Sequence, residues 1–171
     1  MLVGISGATT GPNLDVSGVT YGGVALSLVG TRAYDQFQKV WIYQLVAPTT
    51  GTADVVVTFS RAPDGGGIVG VMTFTGVDQS VPLGAFASAI GDSITPSVDV
   101  SSACGELVFD TVNHFWGPLT AGADQTQRWS RQSADINGGG STEPGAATVT
   151  MSWTAYGENT WAIGAVPIRP P

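Results

Sequence analysis

Cysteine, histidine and lysine are almost missing from this chain. Its 171 residues carry one of each, Cys104, His114 and Lys39. A single cysteine excludes an intrachain disulfide. One histidine and one cysteine cannot supply the ligand set of an ordinary zinc site. Basic charge is also scarce, with six Lys and Arg against thirteen Asp and Glu and a net charge of -7. Phosphate neutralisation needs a basic footprint, so nucleic acid is not an expected partner, and an anionic membrane surface is disfavoured in the same way. No apolar run approaches the roughly 18 residues that would span a bilayer, so membrane insertion is not expected.

Catalytic motifs are absent as well. No serine sits in a G-x-S-x-G elbow. His114, in VNHFWG, reads as a surface or loop histidine at the end of a strand, and Cys104, in SSACGELVF, as a small, partly buried filler. No motif around either makes a nucleophile–base pair. The residues give no support for an enzyme.

What the chain has is glycine, threonine, serine and valine, the composition of an exposed all-β module. Period-2 alternation is clearest in ATVTMSWT, where Ala147, Val149, Met151 and Trp153 point one way and the intervening Thr and Ser the other. ADVVVTF repeats it with Ala53, Val55, Val57 and Phe59. Tyr21-Gly22-Gly23-Val24 reads as a two-residue hairpin, because Gly-Gly accepts the positive φ angles of a type I′ turn. Pro63–Gly67 and Asn137–Gly140 read as loops, the second mobile. Strands are expected at 2–6, 16–21, 24–29, 38–46, 53–60, 68–76, 84–90, 97–101, 106–115, 125–130, 146–155 and 160–168. That punctuation predicts one all-β domain over residues 1–171, a two-sheet antiparallel β-sandwich of jelly-roll type. Two strands, within VWIYQLV and IVGVMTF, lack clean alternation. Either a loop covers their outer faces or those faces meet another protein.

Several stretches in fixed order, VTYGGVALSLVG, WIYQLVAPTTGTADVVVTF, FTGVDQSVPLG, QTQRWS, EPGAATVTMSWT and WAIGAVPI, resemble a β-sandwich module that recurs in bacterial surface and secreted proteins and in phage-associated proteins. The resemblance runs from Leu2 to Pro167 and implies a non-catalytic module beside adhesive or carbohydrate-active partners. Family members usually carry a further strand ahead of the segment matching LVGIS. Leu2, Val3, Gly4 and Ile5 are therefore an expected open edge, available for strand addition by a neighbour.

Other residues invite specific chemistry. Asp110 alternates in phase with Val108 and Val112 and is expected to face inward, partnered by Arg128 or Arg131. Beside an inward acid, Lys39 raises the question of an intramolecular isopeptide bond. Asp135-Ile136-Asn137-Gly138 matches the opening of a calcium loop but lacks its remaining ligands and closing glutamate, so calcium is possible but unsupported and no cofactor is expected. Phe115, Trp116, Trp129 and Tyr156 lie near loops and could stack on sugar rings; Trp153 and Trp161 fall in the core by alternation. The leading expectation is a structural or adhesive subunit of an extracellular, cell-surface or virion assembly, a homo-oligomer or bound to neighbouring subunits. The alternative is a carbohydrate-binding module.

Overall fold

The computed structural model describes residues 1–171 and is built of strands alone. The first half of the chain contributes β1 (Leu2–Ala8), β2 (Val16–Tyr21), β3 (Val24–Ala25), β4 (Ser27–Ala33), β5 (Gln38–Gln44), β6 (Val55–Phe59) and β7 (Gly66–Met72). The second contributes β8 (Ala87–Ser93), β9 (Ser97–Ser101), β10 (Leu107–Phe115), β11 (Leu119–Ala121), β12 (Thr126–Ser133), β13 (Ile136–Pro144), β14 (Thr148–Ala155) and β15 (Asn159–Ile168). Every pairing is antiparallel. The all-β sandwich class expected from the sequence holds, but there are four sheets where two were expected.

The sheets are ordered β4-β5-β1-β7, β3-β2-β6, β12-β13-β10-β15-β8 and β11-β14-β9. Three apolar layers stack them. Val3, Ile5, Trp41 and Tyr43 meet Val16, Val19 and Tyr21 inside the first half. Val108, Val112, Ile163 and Ala165 meet Val98, Val100, Met151 and Trp153 inside the second. Between the halves, Leu2 and Ile42 meet Phe109, Val166 and Ile168. The molecule is thus two small sandwiches laid face to face.

The halves repeat one another. β1 and β10 are each the centre of a large sheet, flanked by β5 and β7 in one and by β13 and β15 in the other. β2 pairs with β6 as β11 pairs with β14. Both outer pairings slip at one place, between Leu28 and Gly30 on β4 and between Gln127 and Trp129 on β12. A shared bulge position is a stronger sign of common architecture than shared strand count. Across the layer between halves, β7 lies against β12 and β13, and β15 against β4 and β5. The halves are therefore related by an approximate two-fold axis.

This packing explains β5, one of the two strands without alternation. β5 carries Val40, Trp41, Ile42 and Tyr43 all buried, because its own sandwich covers one face and the other half covers the second. Neither a loop nor another protein is involved there.

Glycine makes the close approach possible. Asn137–Gly140 is not a mobile loop but the buried interior of β13. A Cβ at Gly139 would lie 2.7 Å from Trp153, and one at Gly140 2.1 Å from Trp129. The indoles occupy the space that side chains would need. Trp129 seats on Gly4, Gly70 and Gly140 together and against Phe109, with ring centroids 5.9 Å apart. On the other side of the axis Phe86 seats on Gly30 and Gly164.

Side-chain amides stitch the same layer. Asn113 Nδ2 donates to Gly7 O at 2.9 Å and Lys39 O at 3.1 Å. Gln38 Nε2 reaches Asn113 O, Asn113 Oδ1 and Thr160 O at 3.3, 3.3 and 3.2 Å, and Ser6 Oγ donates to Val112 O at 2.8 Å. Buried amides unpartnered on separation are costly, so these bonds fix the halves in one register.

The Tyr21–Val24 hairpin forms as expected, with Gly22 and Gly23 at φ 54° and 83°.

Candidate functional site

The first place to look is where the sequence put an open edge. Leu2, Val3, Gly4 and Ile5 are not an edge: β1 is paired along its length with β5 on one side and β7 on the other, and all four residues are buried. An apolar run in the middle of a sheet between two sandwiches has the same composition as an unpaired edge strand, which is why the sequence reading misplaced it.

Open backbone lies on the neighbouring strand β7 and, in the facing sheet, on β6. β7 pairs only with β1, and β6 only with β2. Beside these edges Val69 and Val71 are 42% and 43% exposed, and the inward-facing Val55, Val57 and Phe59 are only half-buried. Their counterparts in the second half, Val149, Met151 and Trp153, are no more than 2% exposed. The difference is the pair β8 and β9, which borders β15 and β14 in the second half and has no counterpart on β7 and β6.

The second place is the loop end of the second sandwich. Trp116 is 60% and Tyr156 86% exposed. They stand on neighbouring turns: a Cβ on Gly117 would lie 2.8 Å from Tyr156 Cβ, and Ala155 N donates to Ile94 O at 2.8 Å on a third turn, where Ile94 is also exposed. Trp116 and Gly117 have φ 60° and 79°, both in the left-handed region. A left-handed tryptophan costs roughly 1–2 kcal/mol, and such strain gathers at ligand sites. Trp116→Asn, which creates the favoured Asn-Gly pair, is expected to raise stability by about 1 kcal/mol in urea unfolding.

The four aromatics proposed from sequence therefore separate. Trp116 and Tyr156 share this end. Phe115 is half-buried against Ala8, Ile68 and Ile136, and Trp129 is wedged between the halves. Neither is a sugar platform.

The remaining candidates are structural. Asp110 is fully buried and meets neither arginine. Its Oδ1 accepts from Ser141 N and Ser141 Oγ, both at 2.7 Å, and its Oδ2 from Trp153 Nε1 at 2.6 Å. Burial pushes its carboxyl up to about 7 against the pull of those three bonds, and the charge of Glu143 adds to the rise. With no exposed atom, the Asp110 carboxyl is out of reach of a glycosidic bond. Lys39 Nζ instead lies 4.0 Å from Asp15 Oδ2, so the isopeptide arrangement with Asp110 is not formed. His114 is buried rather than on a surface or loop, with Nδ1 3.0 Å from Trp116 O and Nε2 3.3 Å from Ser93 O. Both ring nitrogens face carbonyls, which leaves no position for a base. Cys104 is exposed rather than partly buried. Asn137 is buried within β13, so its stretch is strand and not a calcium loop, and no cluster of three or more His, Cys, Asp or Glu stands together.

An apolar cleft lies between the halves at the Met1 end, lined by Met1, Leu45, Val46, Phe74, Val77 and Leu83 among others. Gln44 and Gln79 are the polar side chains on its wall. The chain matches no family model, no curated protein and no solved structure.

Proposed function

We propose that this protein is a non-catalytic structural or adhesive subunit of an assembly outside the cell or on a virion, joined to its neighbours through the open flank of β6 and β7. The observation that supports this reading is the incomplete burial of Val55, Val57, Phe59, Val69 and Val71 beside two unpaired strand edges. Exposed edges backed by apolar side chains are templates for another chain. Light scattering after size exclusion is expected to show concentration-dependent oligomers. The Val69→Lys/Val71→Lys variant is expected to remain a monomer, since lysine on an edge blocks pairing. A monomer at every concentration in the unmodified protein would remove self-association from this reading.

Trp116 and Tyr156 favour a second reading, glycan binding at the loop end. A polysaccharide that stacks there shifts tryptophan fluorescence, and Trp116→Asn or Tyr156→Ala abolishes the shift while Trp129 remains in place. No shift with any of a broad glycan set sinks this reading.

A further inference from the structure

In the second half, β8 and β9 form an arch rather than a hairpin. β8 borders the large sheet, opposite Asn159–Ala165 of β15, and β9 borders the small one, opposite Thr148–Ser152 of β14. The chain crosses between them at Ile94–Pro96, where Ala155 N donates to Ile94 O and Trp153 N to Pro96 O, both at 2.8 Å. One short segment thus closes both sheets along the side of the sandwich. Its inward residues are Ala87 and Ala89 on one arm and Val98 and Val100 on the other.

The repeat carries this arrangement onto the first half. The shared bulge sets the register: Gly30 corresponds to Trp129 and Gly4 to Thr111, so Val3 and Ile5 occupy the positions of Asp110 and Val112. Their partners on the next strand, Val71 and Val69, then match Ala165 and Ile163. ADVVVTF matches ATVTMSW residue for residue, so Val55, Val57 and Phe59 stand where Val149, Met151 and Trp153 stand. In the second half Val100 and Val98 lie opposite Val149 and Met151, and Ala87 lies opposite Ala165. The same row in the first half has nothing opposite it.

We infer that the open flank of the first half is a receptor for a β-arch supplied by another polypeptide. The donor has two extended arms of about five to seven residues joined by a tight bend, with small apolar side chains alternating on the arm that meets β7 and branched apolar ones on the arm that meets β6. A second copy cannot donate its own β8 and β9, because both arms are already paired within it and the chain continues into β10 directly after. This inference rests on the assembly reading in taking the same flank as the interface, and it replaces pairing between copies with a donor of different sequence.

The probe is a synthetic peptide of residues 83–106 of this chain, added in excess to the full-length protein. Expected are one-to-one binding and slowing of amide exchange by about tenfold or more in β6 and β7, with β14 and β15 unchanged. A peptide carrying Val98→Asp and Val100→Asp, and the protein carrying Val69→Lys/Val71→Lys, are each expected to lose the effect. Binding to a protein that stays monomeric alone supports the arch and sets self-association aside. Oligomers that form through the flank but ignore the peptide overturn the arch and leave the assembly reading standing. Neither oligomers nor binding overturns both; binding that is unchanged by the aspartate peptide overturns the arch alone.

Discussion

Stability is expected to fall as pH rises from 4 to 8, and Asp110→Asn to remove most of that slope. The folded carboxyl titrates near 7 against an ordinary value of 3.8. Between those values the native state holds a proton that the unfolded chain releases, so unfolding becomes easier with each rise in pH. Below 3.8 and above 7 the contribution is flat. The span corresponds to on the order of 4 kcal/mol. Asparagine keeps the volume and one acceptor oxygen but turns a second donor toward Ser141 or Trp153. The variant is therefore expected to cost about 1–3 kcal/mol at pH 4 and to equal or exceed the unmodified protein at pH 8. Asp64 and Asp78 sit below the ordinary range because Thr9, Thr10, Ser80 and Val81 donate to them. Their contributions are lost only on acidification past that range, outside this window. Glu143, raised by burial and then by the charge of Asp124, has the same sign as Asp110, which is why the variant and not the curve alone decides. Urea unfolding at each pH supplies the test; an undiminished slope in Asp110→Asn rules out Asp110 as its source.

Gly140→Ala is expected to destabilise by about 3 kcal/mol or more, although alanine in a strand interior ordinarily improves on glycine. The added methyl would meet Trp129 Cζ2 at 2.1 Å and Cη2 at 2.2 Å, and Gly70 and Gly4 seat the same ring edge, so the half-buried indole must leave its seat to make room. Trp129→Ala by itself leaves a cavity between the halves and costs about 3 kcal/mol. The two losses should not add. With the indole gone the methyl has space, and a double-mutant cycle is expected to return a coupling of about 2 kcal/mol. A coupling near zero would mean that the glycine is there for another reason.

These two sites show where sequence reading succeeded and where it failed. The inward position of Asp110 was legible, because alternation with Val108 and Val112 is a local property of one strand. Its partners were not: Ser141 and Trp153 come from β13 and β14, which only tertiary pairing brings together, and an arginine is the default guess for a buried acid. The hairpin at Gly22-Gly23 was legible for the same local reason. β13 was missed because INGGGST carries no apolar residue after Ile136. Its burial is supplied by Trp129 and Trp153, and its glycines are the receiving half of that contact. The visible clue was an excess of tryptophan elsewhere with no large partner to pack against. Trp116 and Tyr156 were placed correctly near loops, whereas Trp129, equally close to a turn in sequence, belongs to the layer between halves. The repeat was also present in the letters, in ADVVVTF beside ATVTMSW, but its central strands share little beyond pattern.

The approximate two-fold axis has an evolutionary consequence. Two faces that meet across such an axis have the form of an isologous dimer contact, here carried within one polypeptide. Fusion of two like subunits makes their encounter intramolecular and keeps their effective concentration high whatever the expression level. Selection on the contact then no longer needs both copies to be alike. Trp129 on one side and Phe86 on the other are divergent answers to the same gap. A lineage freed in this way can keep one copy closed as an anchor and let the other specialise in meeting strangers.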